Sequence, residues 1–274
     1  IAVSRAAREI YHDNTNQVEP FGLDEAWLDV TGEDGFSAAS RISDRIKREL
    51  GITVSIGVSF NKVFAKLGSD YKKPDAITVI NRENFKDIVW KLPVSDLLFV
   101  GRATTEKLTK MGVMTIGELA KTPEFILKNH FGKNGTMLRN FANGEEHSRV
   151  AEYGSVPPMK SMSNSITTPR DMTCREDILR VMTALCDGIG RRLRAEGMVG
   201  RRVSVYMRTN GLDSSSRQSM LFEYTDRTDE ILREAMMLVD ANYDGITRLR
   251  SIGVGIGMLA TASGVSSQMS LFCP

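Results

Sequence analysis

The chain is 274 residues long and 41% apolar, enough for one to three domains with real cores. Its 36 Lys and Arg nearly balance its 34 Asp and Glu, so bulk charge singles out neither a nucleic acid nor an acidic partner. Cys174, Cys186 and Cys273 lack CxxC spacing, which argues against a disulfide framework or zinc site; with no leader pattern and no apolar run near the ~18 residues of a span, a cytoplasmic protein with no membrane partner is expected.

In chain order, the first informative stretch is an apolar, strand-like run of Val18, Phe21, Leu23, Trp27, Leu28 and Val30 that carries Asp24 and Glu25 side by side behind Gly22. Neighbouring strand residues point to opposite faces, so both carboxylates serve one place only at a strand end or bend. A carboxylate in apolar company is costly unless it is paired, hydrogen-bonded or bound to a cation. Two hard oxygen donors suit Mg2+, which keeps positions for water and phosphate, and two such ions are the equipment of phosphoryl transfer. The competing reading is a solvated acidic pair at a strand end. Asp29 reads as structural. Ile42, Ile46 and Leu50 then predict an amphipathic helix over 37–50, ended by Gly51. Residues 52–58 are rich in β-branched side chains and predict a strand. Asn61 opens a helix with Val63, Phe64 and Leu67 on its apolar side, and Ser59 is placed to cap it. Lys73-Pro74-Asp75 is a turn, and 76–80 returns as a strand. Residues 1–91 thus alternate helix and strand, leaving one sheet face free for a site.

From 92 to 154 the pattern changes to short helices with glycine punctuation. Helices over 97–108 and 115–119 around Gly112 predict a helix–hairpin–helix, whose turn amides grip a DNA phosphate; a turn that only packs helices is the alternative. Residues 155–160 form a linker. Over 161–260 the expected elements are a strand at 160–168, a helix at 175–196 burying Ile178, Met182, Leu185, Ile189 and Leu193, and strands at 203–209 and 218–224 about a turn at 211–213. A helix at 228–239 and a strand at 249–258 complete a β-α-β-β-α-β order, a split-βαβ layer with an open sheet face. Arg191, Arg192, Arg194, Arg201, Arg202, Arg208 and Arg217 crowd one segment against only Glu196 and Asp213. They read as a phosphate-binding face or as a solvated surface. Residues 261–274 read as a flexible tail. The fold class is α+β and multidomain.

The run FGLDEAWLDVTG, followed in order by SIGVSFNKVFAKLGSDYKKPDAITVI at 55–80, closely resembles the palm of the Y-family (DinB/UmuC-type) translesion DNA polymerases. LPVSDLLFVGRATTEKLTKMGVMTIGELA resembles that family's thumb, and the remainder fits its C-terminal little finger, so the likeness covers essentially the whole chain. It implies a partial palm, a helix–hairpin–helix thumb and a DNA-binding little finger over the three segments above. It implies a DNA-directed DNA polymerase of DNA repair that adds dNTPs to primer–template DNA with two Mg2+ ions, acting as a monomer. Asp24 and Glu25 match catalytic metal ligands, with Asp24 bridging both ions and Glu25 supporting the one at the primer 3′-hydroxyl. Lys73 matches a lysine on the dNTP triphosphate. Asn61, Lys62 and Lys66 match the helix facing the primer. Gly101, Arg102 and Thr104 match thumb contacts to DNA, and Lys160, Arg201, Arg202 and Arg208 those of the little finger. Gln268-Met269-Ser270-Leu271-Phe272 resembles the peptides by which bacterial polymerases dock on the sliding clamp, with Gln268, Ser270, Leu271 and Phe272 as anchors; a tail folded back on its own domain is the alternative.

The likeness also has departures. Family palms begin with a strand bearing an Asp-x-Asp motif, then fingers and a steric-gate aromatic, whereas this sequence opens at IAVSRAAREIYHDNTNQVEP, which resembles the helix just before the second palm motif. A chain without that first aspartate is expected to be catalytically incompetent alone, and a non-catalytic DNA- and clamp-binding fragment is the alternative function. Phe99 stands where the hairpin pattern has the first glycine of Gly-x-Gly, leaving only Gly101.

Overall fold

In the computed structural model, which describes residues 1–265, the chain divides into two units, Ile1–Val156 and Pro157 onward. The first opens with α1 (Ala2–His12), then a hairpin of β1 (Val18–Pro20) antiparallel to β2 (Ala26–Leu28). α2 (Gly35–Leu50) starts where Asp34 accepts the Ser37 amide, buries Ala38, Ala39, Ile42 and Ile46, and stops at Gly51 in left-handed backbone. β3 (Ile56–Ser59) lies parallel to β4 (Ile77–Ile80), with α3 (Lys62–Tyr71) as the crossover between them. The β-branched run from 52 becomes strand only at Ile56, where pairing with β4 begins. Ser59 does not cap α3. Its hydroxyl donates to the Ile80 carbonyl at 2.8 Å, and Asn61, directly ahead of the first helical residue, accepts the Phe64 amide at 2.8 Å instead.

α3 meets β3 with no side chain between them. A Cβ on Gly57 would lie 1.8 Å from the Ala65 carbonyl oxygen, and one on Gly68 would lie 3.1 Å from the Gly57 Cα. After the short α4 (Phe85–Ile88) come α5 (Arg102–Lys110), α6 (Ile116–Lys121), α7 (Glu124–Phe131) and α8 (Lys133–Ala142). The helix expected from 97 starts only at Arg102, because Phe99 adopts φ 69°, outside helical geometry. α6 begins with a reciprocal capping box between Thr115 and Glu118. One core runs from Val63, Phe64, Leu67 and Ile80 to Leu108, Ile116, Leu127 and Leu138, crossing the boundary expected at 91/92. A smaller cluster of Ile10, Ile42 and Ile46 joins α1 to α2.

The second unit contains β5 (Ser161–Met172), α9 (Arg175–Ala195), β6 (Met198–Thr209), β7 (Ser214–Thr225), α10 (Thr228–Asn242), β8 (Leu249–Gly257) and β9 (Ala260–Thr261). The sheet order is β5-β8-β6-β7, every pair antiparallel. β8 therefore separates the parallel pair β5 and β6, and β6 separates β7 and β8: two interlocked split βαβ units. The α9 stripe Ile178, Met182, Leu185, Ile189 and Leu193 is buried against Val203, Val205 and Val254 in one core. Cys186 sits within it, its thiol pushed up to about 12 by burial, whereas Cys174 is exposed. The first two residues of the segment expected as a tail are bonded to the fold: Thr261 pairs with Met198, and the Ala262 amide donates to the Gly197 carbonyl at 2.8 Å. Gln268, Ser270, Leu271 and Phe272 lie outside the described residues. Among the described residues no helix is long and apolar enough to cross a membrane.

Candidate active site and nucleic-acid interface

Asp24 and Glu25 stand in the turn between β1 and β2, immediately before Ala26. The Phe21 amide donates to the Glu25 carbonyl at 2.8 Å and closes the turn. Gly22 takes φ 104°, which a side chain would strain. From α1, Arg8 donates to the Gly22 carbonyl at 2.7 Å and the Ser4 hydroxyl to the Leu23 carbonyl. The bend lets two sequence neighbours line one cleft, which a straight strand would forbid. Asp24 is exposed and Glu25 half-buried. Asp29 has the structural role expected, its carboxylate accepting the Thr31 amide at 2.8 Å.

Two lysines from the α3 side complete the cleft. Lys66 Nζ lies 3.0 Å from Glu25 Oε1 and 2.5 Å from Asp70 Oδ2, and Lys73 Nζ lies 2.6 Å from Asp70 Oδ1. Burial opposes the Lys66 charge, but the hydrogen bonds to Asp70 and Glu25 outweigh it and raise its pKa. Burial likewise opposes the Asp70 charge, and its two lysines outweigh that and lower its pKa. Sequence reasoning missed Asp70, although its spacing from Lys66 and Lys73, four and three residues, was the available signal.

Asn61 and Lys62, expected to face DNA, are committed inside the first unit. Asn61 caps α3 through Oδ1 and donates from Nδ2 to the Gly144 carbonyl at 3.1 Å. Lys62 Nζ bonds Glu19 at 2.6 Å with a side chain only 11% exposed, while its carbonyl accepts Trp27 Nε1 at 2.9 Å and its amide reaches Glu146 at 3.2 Å. Glu19 and Glu146 act across long sequence separations and leave no local signal.

The cleft of about 490 Å³ is lined by Asp24, Glu25, Lys66, Lys73, Ala26–Leu28 of β2, Ile56–Ser59 of β3 and the small residues of α2. β2 pairs only with β1, and β3 only with β4, among the described residues, so each keeps an unpaired edge, and residues of both strands line the cleft. The donor set at the turn is of the right kind for Mg2+, two carboxylates with hard oxygens. No group of three metal-ligating side chains occurs among the described residues, so these two acids alone would not complete an ion's coordination.

At the start of α5, Gly101 is the cap residue, Arg102 is exposed and pairs with Glu106 at 3.0 Å, and Thr104 is half-buried. In the second unit, α9 and α10 cover one sheet face. The other face carries four cross-strand rows: Ser161–Gly257–Arg202–Met220, Ser163–Gly255–Ser204–Gln218, Ser165–Gly253–Tyr206–Ser216 and Thr167–Ser251–Arg208–Ser214. It is a low, polar surface with an arginine in each end row, and Lys160 stands exposed at its margin.

The seven arginines expected to form one patch are dispersed. Arg191, Arg192 and Arg194 belong to α9, where they bond Asp187, the Ser163 carbonyl and the Asp226 carbonyl. Arg217 falls on the helix-covered side and donates to Asn242 of α10 at 2.9 Å. Arg201 sits in the bulge between Gly200 and Arg202 and donates to the Leu221 carbonyl at 2.9 Å. Only Arg202 and Arg208 lie in the rows of the open face.

Residues 1–70 match the impB/mucB/samB family, 159–271 the impB/mucB/samB family C-terminal domain, and 95–146 the DNA polymerase-iota thumb domain. Over 274 residues the chain is 44% identical to DNA polymerase IV of Acetivibrio thermocellus, covering 98% of this chain and 68% of that one. It is 36% identical to DNA polymerase IV of Clostridium acetobutylicum, with 94% and 65% covered, and 33% identical to DNA polymerase IV 1 of Bacillus subtilis, with 98% and 66% covered. The chain thus spans about two thirds of the length of these curated relatives. Its fold is similar to that of a solved Y-family DNA polymerase chimera, Dbh-Dpo4(243-245)-Dbh, at a TM-score of 0.79 and 21% identity, covering 94% of this chain and 75% of that one.

Proposed function

The chain belongs to the Y-family of DNA polymerases, in its DinB-like branch, and from that membership we propose that it forms part of a centre adding dNTPs to a primer 3′-hydroxyl on template DNA, in cytoplasmic DNA repair and damage tolerance. The observation that carries this reading is the convergence of Asp24, Glu25, Lys66 and Lys73 on one cleft of a family palm. Asp24 and Glu25 would hold Mg2+, which when bound acidifies the 3′-hydroxyl and neutralises the leaving pyrophosphate. The turn's hydrogen bonds to α1 fix where both carboxylates stand before substrate arrives, so their orientation costs little at the moment of reaction. Lys73, half-exposed and paired with Asp70, meets triphosphate oxygens as a point charge.

The open edges of β2 and β3 receive a further strand in this reading. It comes from the part of the relatives that this chain does not span, and it brings the third carboxylate that the family pattern implies. With two carboxylates alone, residues 1–274 act as a DNA-binding body. The open sheet face of the second unit, through Arg202, Arg208 and the serine hydroxyls of its rows, and the start of α5, through Gly101, Arg102 and Thr104, bind phosphates of primer–template DNA. Gln268 to Phe272 docks on a bacterial sliding clamp through the Leu271 and Phe272 side chains.

Primer extension tests this. Residues 1–274 should shift primer–template DNA in a gel but extend it slowly or not at all with Mg2+ and dNTPs. Fusion to the part of the Acetivibrio thermocellus relative that this chain does not span should restore extension. In the fusion, Asp24→Ala or Glu25→Ala should cut incorporation by orders of magnitude with DNA binding retained. Undiminished incorporation by either variant would refute the metal-ligand assignment, and rapid extension by residues 1–274 would refute the need for a third carboxylate.

A further inference from the structure

Asp70 divides its two carboxylate oxygens between two lysines, Oδ2 accepting from Lys66 at 2.5 Å and Oδ1 from Lys73 at 2.6 Å. Lys66 in turn reaches Glu25 at 3.0 Å, so Glu25, Lys66, Asp70 and Lys73 form a row of alternating charge with no net excess. Lys66 is the sheltered member of the row: its side chain is 18% exposed, against 36% for Glu25, 47% for Asp70 and 54% for Lys73. Lys66 and Asp70 lie one turn apart on the same side of α3, and Lys73 follows in the turn after it. Glu25 is also one of the two acids assigned to the metal, and an ammonium already occupies the approach to its oxygen. An incoming divalent ion and Lys66 compete for the same charge.

Building on the metal-dependent reading above, we propose that Lys66 is a resident counter-cation for Glu25, and that Asp70 is the positioning residue that takes Lys66 up when a divalent ion displaces it while holding Lys73 beside the cleft. Lys66 stays within reach of both anions because its ammonium sits on a flexible four-carbon stem with three donors. α3 itself need not move, being seated directly on Gly57. Ion binding is then an exchange of one cation for another at Glu25. Asp70 lowers its cost by keeping the released ammonium paired instead of leaving two positive charges side by side.

Mn2+ binding to residues 1–274, read by electron paramagnetic resonance of the free ion, tests the exchange without catalysis. Lys66→Met removes the resident cation and should tighten Mn2+ binding roughly five- to tenfold. Lys66→Arg keeps the charge and should remain near wild type. Asp70→Asn leaves Lys66 with Glu25 as its sole anion and should weaken Mn2+ binding several-fold. Nitrogen-15 resonances of the two ammonium groups, assigned with Lys66→Met and Lys73→Met, should both shift in Asp70→Asn. Unchanged Mn2+ affinity in Lys66→Met, with binding lost in Glu25→Ala, would overturn the exchange while sparing the metal site. Equal Mn2+ binding by wild type and Glu25→Ala would overturn the metal reading and the exchange with it. Unshifted ammonium resonances in Asp70→Asn would overturn the positioning role in either case.

Discussion

A methyl group at position 57 has nowhere to go. Its nearest neighbours would be the Ala65 carbonyl oxygen at 1.8 Å and the Ser69 amide nitrogen at 2.6 Å, both backbone atoms of α3, which cannot rotate aside as a side chain would. Gly57→Ala must therefore push α3 off β3, and α3 carries Lys66 and Asp70. Such overpacking costs roughly 1–3 kcal/mol. The melting temperature should fall by several degrees, and the Lys66 ammonium resonance should move with the helix. A variant that melts at the wild-type temperature would show that the two elements are not in direct contact. Phe99 is the opposite case: it occupies φ 69° where the family pattern has glycine, and its exposed ring rests 6.2 Å from that of Phe141. A residue that pays backbone strain at a loop preceding a helix start holds the loop in a shape that glycine would leave free.

Carboxylates at helix ends contribute to the pH response of the fold. Asp34 opens α2 with its carboxyl held below the usual range by hydrogen bonds from the Ser37 hydroxyl and amide. Glu118 at the start of α6 is lowered by the Met114 and Thr115 amides, and Asp240 is lowered by the Arg175 guanidinium. Each folded-state value lies below the unfolded one, so the stabilisation is complete above the ordinary carboxylate pKa of about 4 and is lost as pH falls through the lowered values. The urea midpoint should stay level from pH 7 to 5 and drop below pH 4; a midpoint that rises on acidification would contradict these bonds. The same elements show what local sequence carries. The stripes Ile42–Ile46 and Ile178 to Leu193 specified their helices because periodicity is local. Strand ends escaped it: residues 52–55 have the composition but no strand partner among the described residues, whereas the serines of 214–216 have little strand propensity and are paired by β6. At the site, Asp24 and Glu25 were readable from an acidic pair in an apolar run. The internal engagement of Lys62 with Glu19, 43 residues away, was not.

Over the whole molecule charge is nearly balanced, with a net charge of +2, so affinity for a polyanion has to come from where arginines point and not from how many there are. Local density in the sequence counted seven between 191 and 217, but strand parity and one bulge decide which are available. Arg202 and Arg208 share a parity that puts them in the rows of the open face, whereas Arg217 has its guanidinium on Asn242 beside α10. Each arginine that neutralises a phosphate releases a counterion and contributes about 0.9 to the slope of log affinity against log salt. Replacing Arg202 and Arg208 together by alanine should therefore weaken primer–template binding at low salt and reduce that slope by about 2, with little dependence on DNA sequence. Arg217→Ala removes the same kind of charge from the same segment and should leave both affinity and slope nearly unchanged. A titration series from low to physiological salt on the three proteins separates the possibilities. Equal losses from Arg217→Ala and from the open-face pair would mean that binding follows net charge; no loss from the pair would remove this sheet face from the DNA interface.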